Sequence, residues 1–305
     1  MVKVKKQKRS SRLALFWGLV GAAGFALLIN RLLANNNIAL FNPKGLVAQQ
    51  QMDLMVISVG VLLLAVVPSL FLFYFFAWKY RESNGQATYD PSHRPKKFDW
   101  VAWGVPTAFM LVLALVMWPA THQLEPQKHI AAAGTKPLTV EVVALRWKWL
   151  FIYPDQNIAT VNFLKLPVNT PVEFDITADD MPMSSFWIPN LGGMLYSMTG
   201  HVNRLNLMPT VMGDYEGSSA EINGGGFADM KFVTRVSSQA DFDAWVQGIR
   251  MSPSALSDTT YQALLKPTDN NPAAYYASVD RGLYNKVLMK YADGMGGMSM
   301  EGHTH

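Results

Sequence analysis

The chain of 305 residues contains no cysteine. That absence excludes disulfides, thiol catalysis and cysteine-based zinc or iron–sulfur sites together. Charge is sparse too, at 16% of residues. Lys3, Lys5, Lys6, Lys8, Arg9 and Arg12 carry six positive charges, and removing them from the net +4 leaves −2. The basic balance therefore belongs to the leader. No stretch interleaves basic and aromatic residues in the way a nucleic-acid groove requires. A catalytic triad, a phosphate-binding glycine loop and a paired-carboxylate site are all missing as motifs.

Long apolar runs are what the chain has instead. They fall before residue 120, in three places. Residues 1–34 combine a basic start with an apolar run over 13–29, the pattern of a signal peptide or signal anchor. Residues 54–78 and 100–120 each reach the roughly 20 residues needed to cross a hydrocarbon core. They predict a transmembrane hairpin over 35–120, with Pro68 and Pro106 inside its helices. Lys79, Arg81, Arg94, Lys96 and Lys97 crowd the 79–98 connection, whereas 35–51 carry only Lys44. An excess of positive charge marks the cytoplasmic side, so the large C-terminal part is expected outside. Asp99 opens the second helix, where a carboxylate suits an N-cap and the helix dipole.

Beyond residue 121 the texture changes to short runs broken by Pro, Gly and Asn. Val172, Phe174 and Ile176 alternate with Glu173, Asp175 and Thr177, and 138–143 alternate less strictly. Period two marks strands with one buried face, and several of them separated by turns predict a β-sandwich over 121–236. A helical extension is expected over 237–292. Ser238 is its first cap, Phe242, Trp245, Val246 and Ile249 form an apolar stripe, and further helices are expected over 254–265 and 275–291. Residues 293–305 hold Met295, Met298, Met300, His303 and His305 in a glycine-rich end expected to be disordered.

One loop carries the specific signal. Residues 213–230, GDYEGSSAEINGGGFADM, resemble the binuclear copper loop of subunit II of haem-copper terminal oxidases, G-x-Y-x-G-x-C-x-E-x-C-G-x-x-H-x-x-M. Gly213, Tyr215, Gly217, Glu221, Gly224 and Met230 match it. The two thiolate positions fall on Ser219 and Asn223, the imidazole position on Phe227, and the upstream histidine on Ser184 in MPMSSFWIP. Copper of this type needs thiolate and imidazole donors. Met230 offers a weak thioether, and Glu221 serves the family through its backbone carbonyl. Further resemblance lies in FNPKG, FAWKYR, WKWLFIYP and SFWIPNLGG.

The resemblance implies a membrane-anchored α + β protein: a two-helix hairpin, then a cupredoxin-like sandwich with a helical extension. It implies the subunit II of a quinol oxidase, with no catalytic centre, no metal and no cofactor in this chain. Haems, one copper and the quinol site would belong to subunit I, the expected partner along with the other subunits and membrane lipids. Asp99 would sit at a proton-channel entrance of subunit I, although the family more often has Glu there. Trp147 and Trp149, in the aromatic region that receives electrons in cytochrome-c-oxidising members, would serve as docking aromatics. Relatives often carry an acylated lipobox cysteine, but here Asn35 follows Ala34, so that anchor is impossible. The expected location is the bacterial inner membrane with the sandwich on the periplasmic side. Two other functions share features of the chain: a cytochrome c oxidase subunit, which needs the missing ligands, and a copper-binding module working through the Met/His tail.

Overall fold

A computed structural model describes residues 38–81, 84, 96–130, 136–181 and 183–291, together with Gly24, Leu27 and Arg31. Most of the leader, most of the 79–98 connection and the Met/His tail lie outside the described residues. Two long helices come first, α1 (Leu46–Lys79) and α2 (Lys96–Gln123). Both are long and apolar enough to cross a membrane, and neither buries its apolar window inside the protein. Pro68 and Pro106 each remove a helix donor, and the next hydroxyl along the chain bonds back by one turn. Ser69 donates to the Ala65 carbonyl and Thr107 to that of Trp103, both at 2.7 Å. α2 begins at Lys96, so Asp99 lies within the first turn and is not the N-cap; its position still suits the helix dipole.

Two sheets form the sandwich. One has the order β12-β3-β2-β1-β5-β8: β12 (Ala274–Tyr276), β3 (Ile158–Val161), β2 (Lys148–Tyr153), β1 (Leu138–Leu145), β5 (Val172–Ala178) and β8 (Asn203–Leu207). The other has the order β4-β10-β9-β6-β7: β4 (Phe163–Pro167), β10 (Lys231–Ser237), β9 (Gly213–Ser219), β6 (Ser184–Trp187) and β7 (Leu195–Ser197). Within these two sheets two pairings are parallel, β1 with β5 and β4 with β10. The expected alternation holds along the first half of β5, where Val172 and Phe174 are buried and Glu173 and Asp175 are not. Outside, Arg204 neutralises those two carboxylates at 2.6 and 3.0 Å.

Aromatic rings fill the core. Phe186 stacks on Phe232 with centroids 5.3 Å apart, and Trp149 meets both edge-on. Phe232 fits because Gly217, its cross-strand partner, has no side chain; a Cβ there would come within 2.1 Å of the ring.

The C-terminal extension is less helical than its pattern suggested. α3 (Gln239–Arg250) is as expected, capped by Ser238 and burying Phe242, Val246 and Ile249. The segment 254–265 instead gives β11 (Ala255–Leu256) and then α4 (Asp258–Leu264), started by the Ser257 cap. Over 275–291 the chain first adds β12 to the edge of the larger sheet, and β13 (Ser278–Val279) then pairs with β11. Only α5 (Leu283–Met289) is helical, and it begins after Gly282 at φ 75°. Tyr275, Tyr276 and Val279 favour an open sheet edge over an isolated turn of helix.

Helix and sandwich are stitched together. The Lys44 amide donates to Asn190 O at 2.7 Å, Leu46 to Met208 O at 2.9 Å and Ala48 to Leu191 O at 3.1 Å. FNPKG and IPNLGG are therefore the two halves of one joint. Gly45 is required there, since a Cβ would stand 2.7 Å from the Leu191 carbonyl.

Candidate functional site: a copper frame closed by hydrogen bonds

β6, β9 and the loop before β10 bring most of the frame together. β6 pairs with β9 through Phe186 and Ser219, which sets Ser184 beside the loop that carries Asn223. Ser184, Ser219, Asn223 and Met230 are all buried. The Asn223 side-chain amide donates to the Ser184 hydroxyl and, at 3.1 Å, to the Met230 sulfur. Ser184 in turn donates to the Met181 sulfur at 3.8 Å. The Ser219 hydroxyl takes the Glu221 carbonyl at 3.1 Å, the group the copper frame would offer to metal. Phe227 contributes only backbone, its N–H to Gly224 O at 3.2 Å and its carbonyl to Met230 N–H at 3.1 Å.

Such a set does not fit a dicopper centre. Two of the four strong-ligand positions are hydroxyls, one is an amide that presents N–H to its neighbours, and one is a hydrocarbon ring. Thiolates bridge soft metal ions, whereas hydroxyls and amide N–H groups at these positions cannot. Met181 is a second thioether that the sequence frame did not single out; its place three residues before Ser184 is the only signal of it. The closure is imperfect: Asn223 Oδ1 and Trp149 Nε1 are buried with no hydrogen-bond partner among the described residues. An unpaired buried polar atom of this kind costs about 1–3 kcal/mol.

The two tryptophans separate. Trp149 is fully buried in the core, so it cannot be a docking residue. Its neighbour two residues earlier turns the chain at φ 61° between β1 and β2, half-buried, and lies across Gly224 and Gly226 of the frame loop. The β-turn at 146–147 sets Trp147 apart from β2, the strand that carries Trp149. Lys148, between them, is buried and caps the end of α4 by donating to Leu264 O at 3.0 Å and Lys266 O at 2.9 Å. Burial pushes its ammonium pKa down.

A second buried centre lies at the base of the loop leading to Ser184, and no motif announced it. The Asp179 carboxylate, 1% exposed, accepts from the Tyr261 hydroxyl at 2.5 Å, the Tyr291 hydroxyl at 2.6 Å and Lys290 Nζ at 2.7 Å. Burial and the Asp179 charge raise the Tyr261 pKa far above its usual value. Tyr284 donates to the Asp175 carbonyl at 3.0 Å. Tyrosine hydroxyls of the extension thus hold β5 and the residues that follow it.

The fold and this site define a class: a cupredoxin-like sandwich on a helical hairpin, with Ser184, Ser219, Asn223 and Met230 gathered and buried around β6, β9 and the loop before β10. Relatives agree. The chain is 43% identical over 292 residues to ubiquinol oxidase subunit 2 of Acetobacter aceti, covering 95% of this chain and 92% of the relative. It is 42% identical over 262 residues to cytochrome bo(3) ubiquinol oxidase subunit 2 of Pseudomonas putida, covering 85% and 82%. Against quinol oxidase subunit 2 of Bacillus subtilis the identity is 33% over 261 residues, covering 85% and 78%. A family described as the COX Aromatic Rich Motif matches residues 250–295, the segment that supplies Tyr261, Tyr284, Lys290 and Tyr291. The chain belongs to the ubiquinol oxidase subunit 2 family, and is a subunit of an oxidoreductase complex.

Proposed function

We propose that this chain is the non-catalytic subunit II of a proton-pumping quinol:oxygen oxidoreductase, where it stabilises subunit I and shapes a proton entrance. The observation that carries the proposal is the Ser184–Asn223–Met230 set, in which hydrogen bonds stand where copper ligands would be. With no electron carrier in the sandwich, electrons pass from a membrane quinol directly into subunit I, which supplies the haems and one copper. The two long helices anchor the chain in the bacterial inner membrane. Positive charge on the 79–98 connection puts that loop in the cytoplasm and the sandwich in the periplasm.

Asp99 then stands at the cytoplasmic end of α2, half-buried in its first turn, where a titratable carboxylate serves proton uptake into the partner. Trp147 remains the docking aromatic, since part of its ring is exposed beside the frame loop. Copper and haem are measured on the purified complex. One copper per oxidase supports the reading; three would sink it.

A further inference from the structure

We propose that the pocket where α1, α2 and the sandwich meet binds the headgroup of a zwitterionic aminophospholipid, with phosphatidylethanolamine the chemical match. The inference rests on the membrane placement proposed above. The pocket is about 320 Å³, and its polar lining includes Gln50, Gln51, Glu125, Lys128, His129 and Asn206. Gln50 and Gln51 precede Leu54, the start of the apolar run, by about one helical turn, or roughly 5 Å. A headgroup layer is about 5–7 Å thick on each side of the hydrocarbon core, so the pocket lies at its depth.

Both charges of such a lipid find partners. Lys128 and His129 suit the phosphate, Glu125 suits the ammonium, and the glutamine amides suit the glycerol esters. The wall that bears the charges is fixed: Lys128 N–H closes a turn onto Glu125 O at 3.0 Å, and Asn206 N–H holds Pro126 O at 2.9 Å. Directly adjoining is a more open groove of about 610 Å³ that shares Gln51, Leu124, Glu125 and Pro126 and descends to Leu54 and Ala120 between the helices. Polar pocket and apolar groove together have the shape of a head with one of its two acyl chains. A choline head would call for an aromatic cage, and no Trp, Tyr or Phe lines the pocket among the described residues. A phosphatidylglycerol head would leave Glu125 facing a phosphate with no ammonium between them.

Native mass spectrometry of the detergent-extracted complex tests this with the Glu125→Gln/Lys128→Gln double variant. Wild type should retain one phosphatidylethanolamine that the variant loses, with other bound lipids unchanged; equal retention overturns the site. Should the variant fail to assemble, wild-type complex is reconstituted with a headgroup-diazirine phosphatidylethanolamine. Cross-links should fall on 46–51 and 123–130. Cross-links elsewhere, equal labelling by a phosphatidylcholine probe, or partner-subunit residues cross-linked to Lys128 in place of lipid would each overturn the proposal. Release of the chain from membranes by alkaline carbonate, without detergent, would instead overturn the membrane placement.

Discussion

Lys290 reaches 2.7 Å from the carboxylate of Asp179, joining the last helix of the aromatic-rich segment to the strand end that leads to Ser184. Asp179 has no exposure to compensate it with water, so the lysine and two tyrosines are what make its burial tolerable. The aromatic-rich segment therefore acts as a latch on the loop that leads to Ser184.

Removing one hydroxyl from that latch should be measurable. Tyr291→Phe loses the bond to Asp179 and leaves the Asp180 N–H without its acceptor. A hydrogen bond to a charged group contributes about 1.5–3 kcal/mol, so a loss in that range is expected. Asp179→Ala should cost more than that, because it takes the acceptor from the buried Tyr261 hydroxyl as well as from Tyr291, while the half-exposed Lys290 is rehydrated. Thermal unfolding of the complex, followed by tryptophan fluorescence, reports both.

The frame itself should be dispensable for turnover. Replacing Ser184 with Ala and Asn223 with Leu together removes both partners of a buried hydrogen bond and the orphaned Asn223 Oδ1. Stability is expected to change by no more than about 1 kcal/mol, because paired apolar replacement is close to neutral. Copper content and quinol oxidation should match wild type. A fall in either at normal assembly would show that electrons or metal still use this loop.

At the other end of the molecule, Asp99→Asn keeps a short polar side chain in the first turn of α2 but removes the titratable group. Slower proton uptake and turnover are expected with unaltered subunit stoichiometry. Unchanged turnover would remove Asp99 from the proton path.

Glu141 gives a pH signature to the sandwich. Burial, and next the charge of Asp175 beside it on the parallel strand, raise its pKa to about 7 from 4.5. Between those values the unfolded chain has released a proton that the folded chain still holds, so stability falls as pH rises from about 4.5 to 7. Glu141→Gln should flatten that slope in melting temperatures taken across the range. The side chain is partly exposed, and solvent screening keeps the effect modest.

Local pattern made much of this legible. The apolar runs gave α1 and α2, alternation gave β5, and the Ser238 cap with its stripe gave α3. The frame of 213–230 together with MPMSSFWIP located Ser184, Asn223 and Met230 as neighbours, since the family spacing encodes a three-dimensional site. What stayed hidden depends on contacts far apart in sequence. Nothing within 275–291 reveals that Tyr275 and Tyr276 complete a sheet begun near residue 138, and an apolar run of that length reads equally as helix. Asp179 looked like one acid among several; only folding sets Tyr261 and Lys290 around it. The string WKW does not show that Trp147 turns the chain while Trp149 enters the core.

The stitched joint at Gly45 has a consequence for assembly. A sandwich hung from its anchor by a loose linker would lose rotational freedom each time it met its partner, and that loss would weaken the encounter. Here the backbone bonds of Lys44, Leu46 and Ala48 fix its orientation while the chain folds. The sandwich is thereby aimed before it meets a partner, and a bulky side chain at Gly45 would turn a preset encounter into a search.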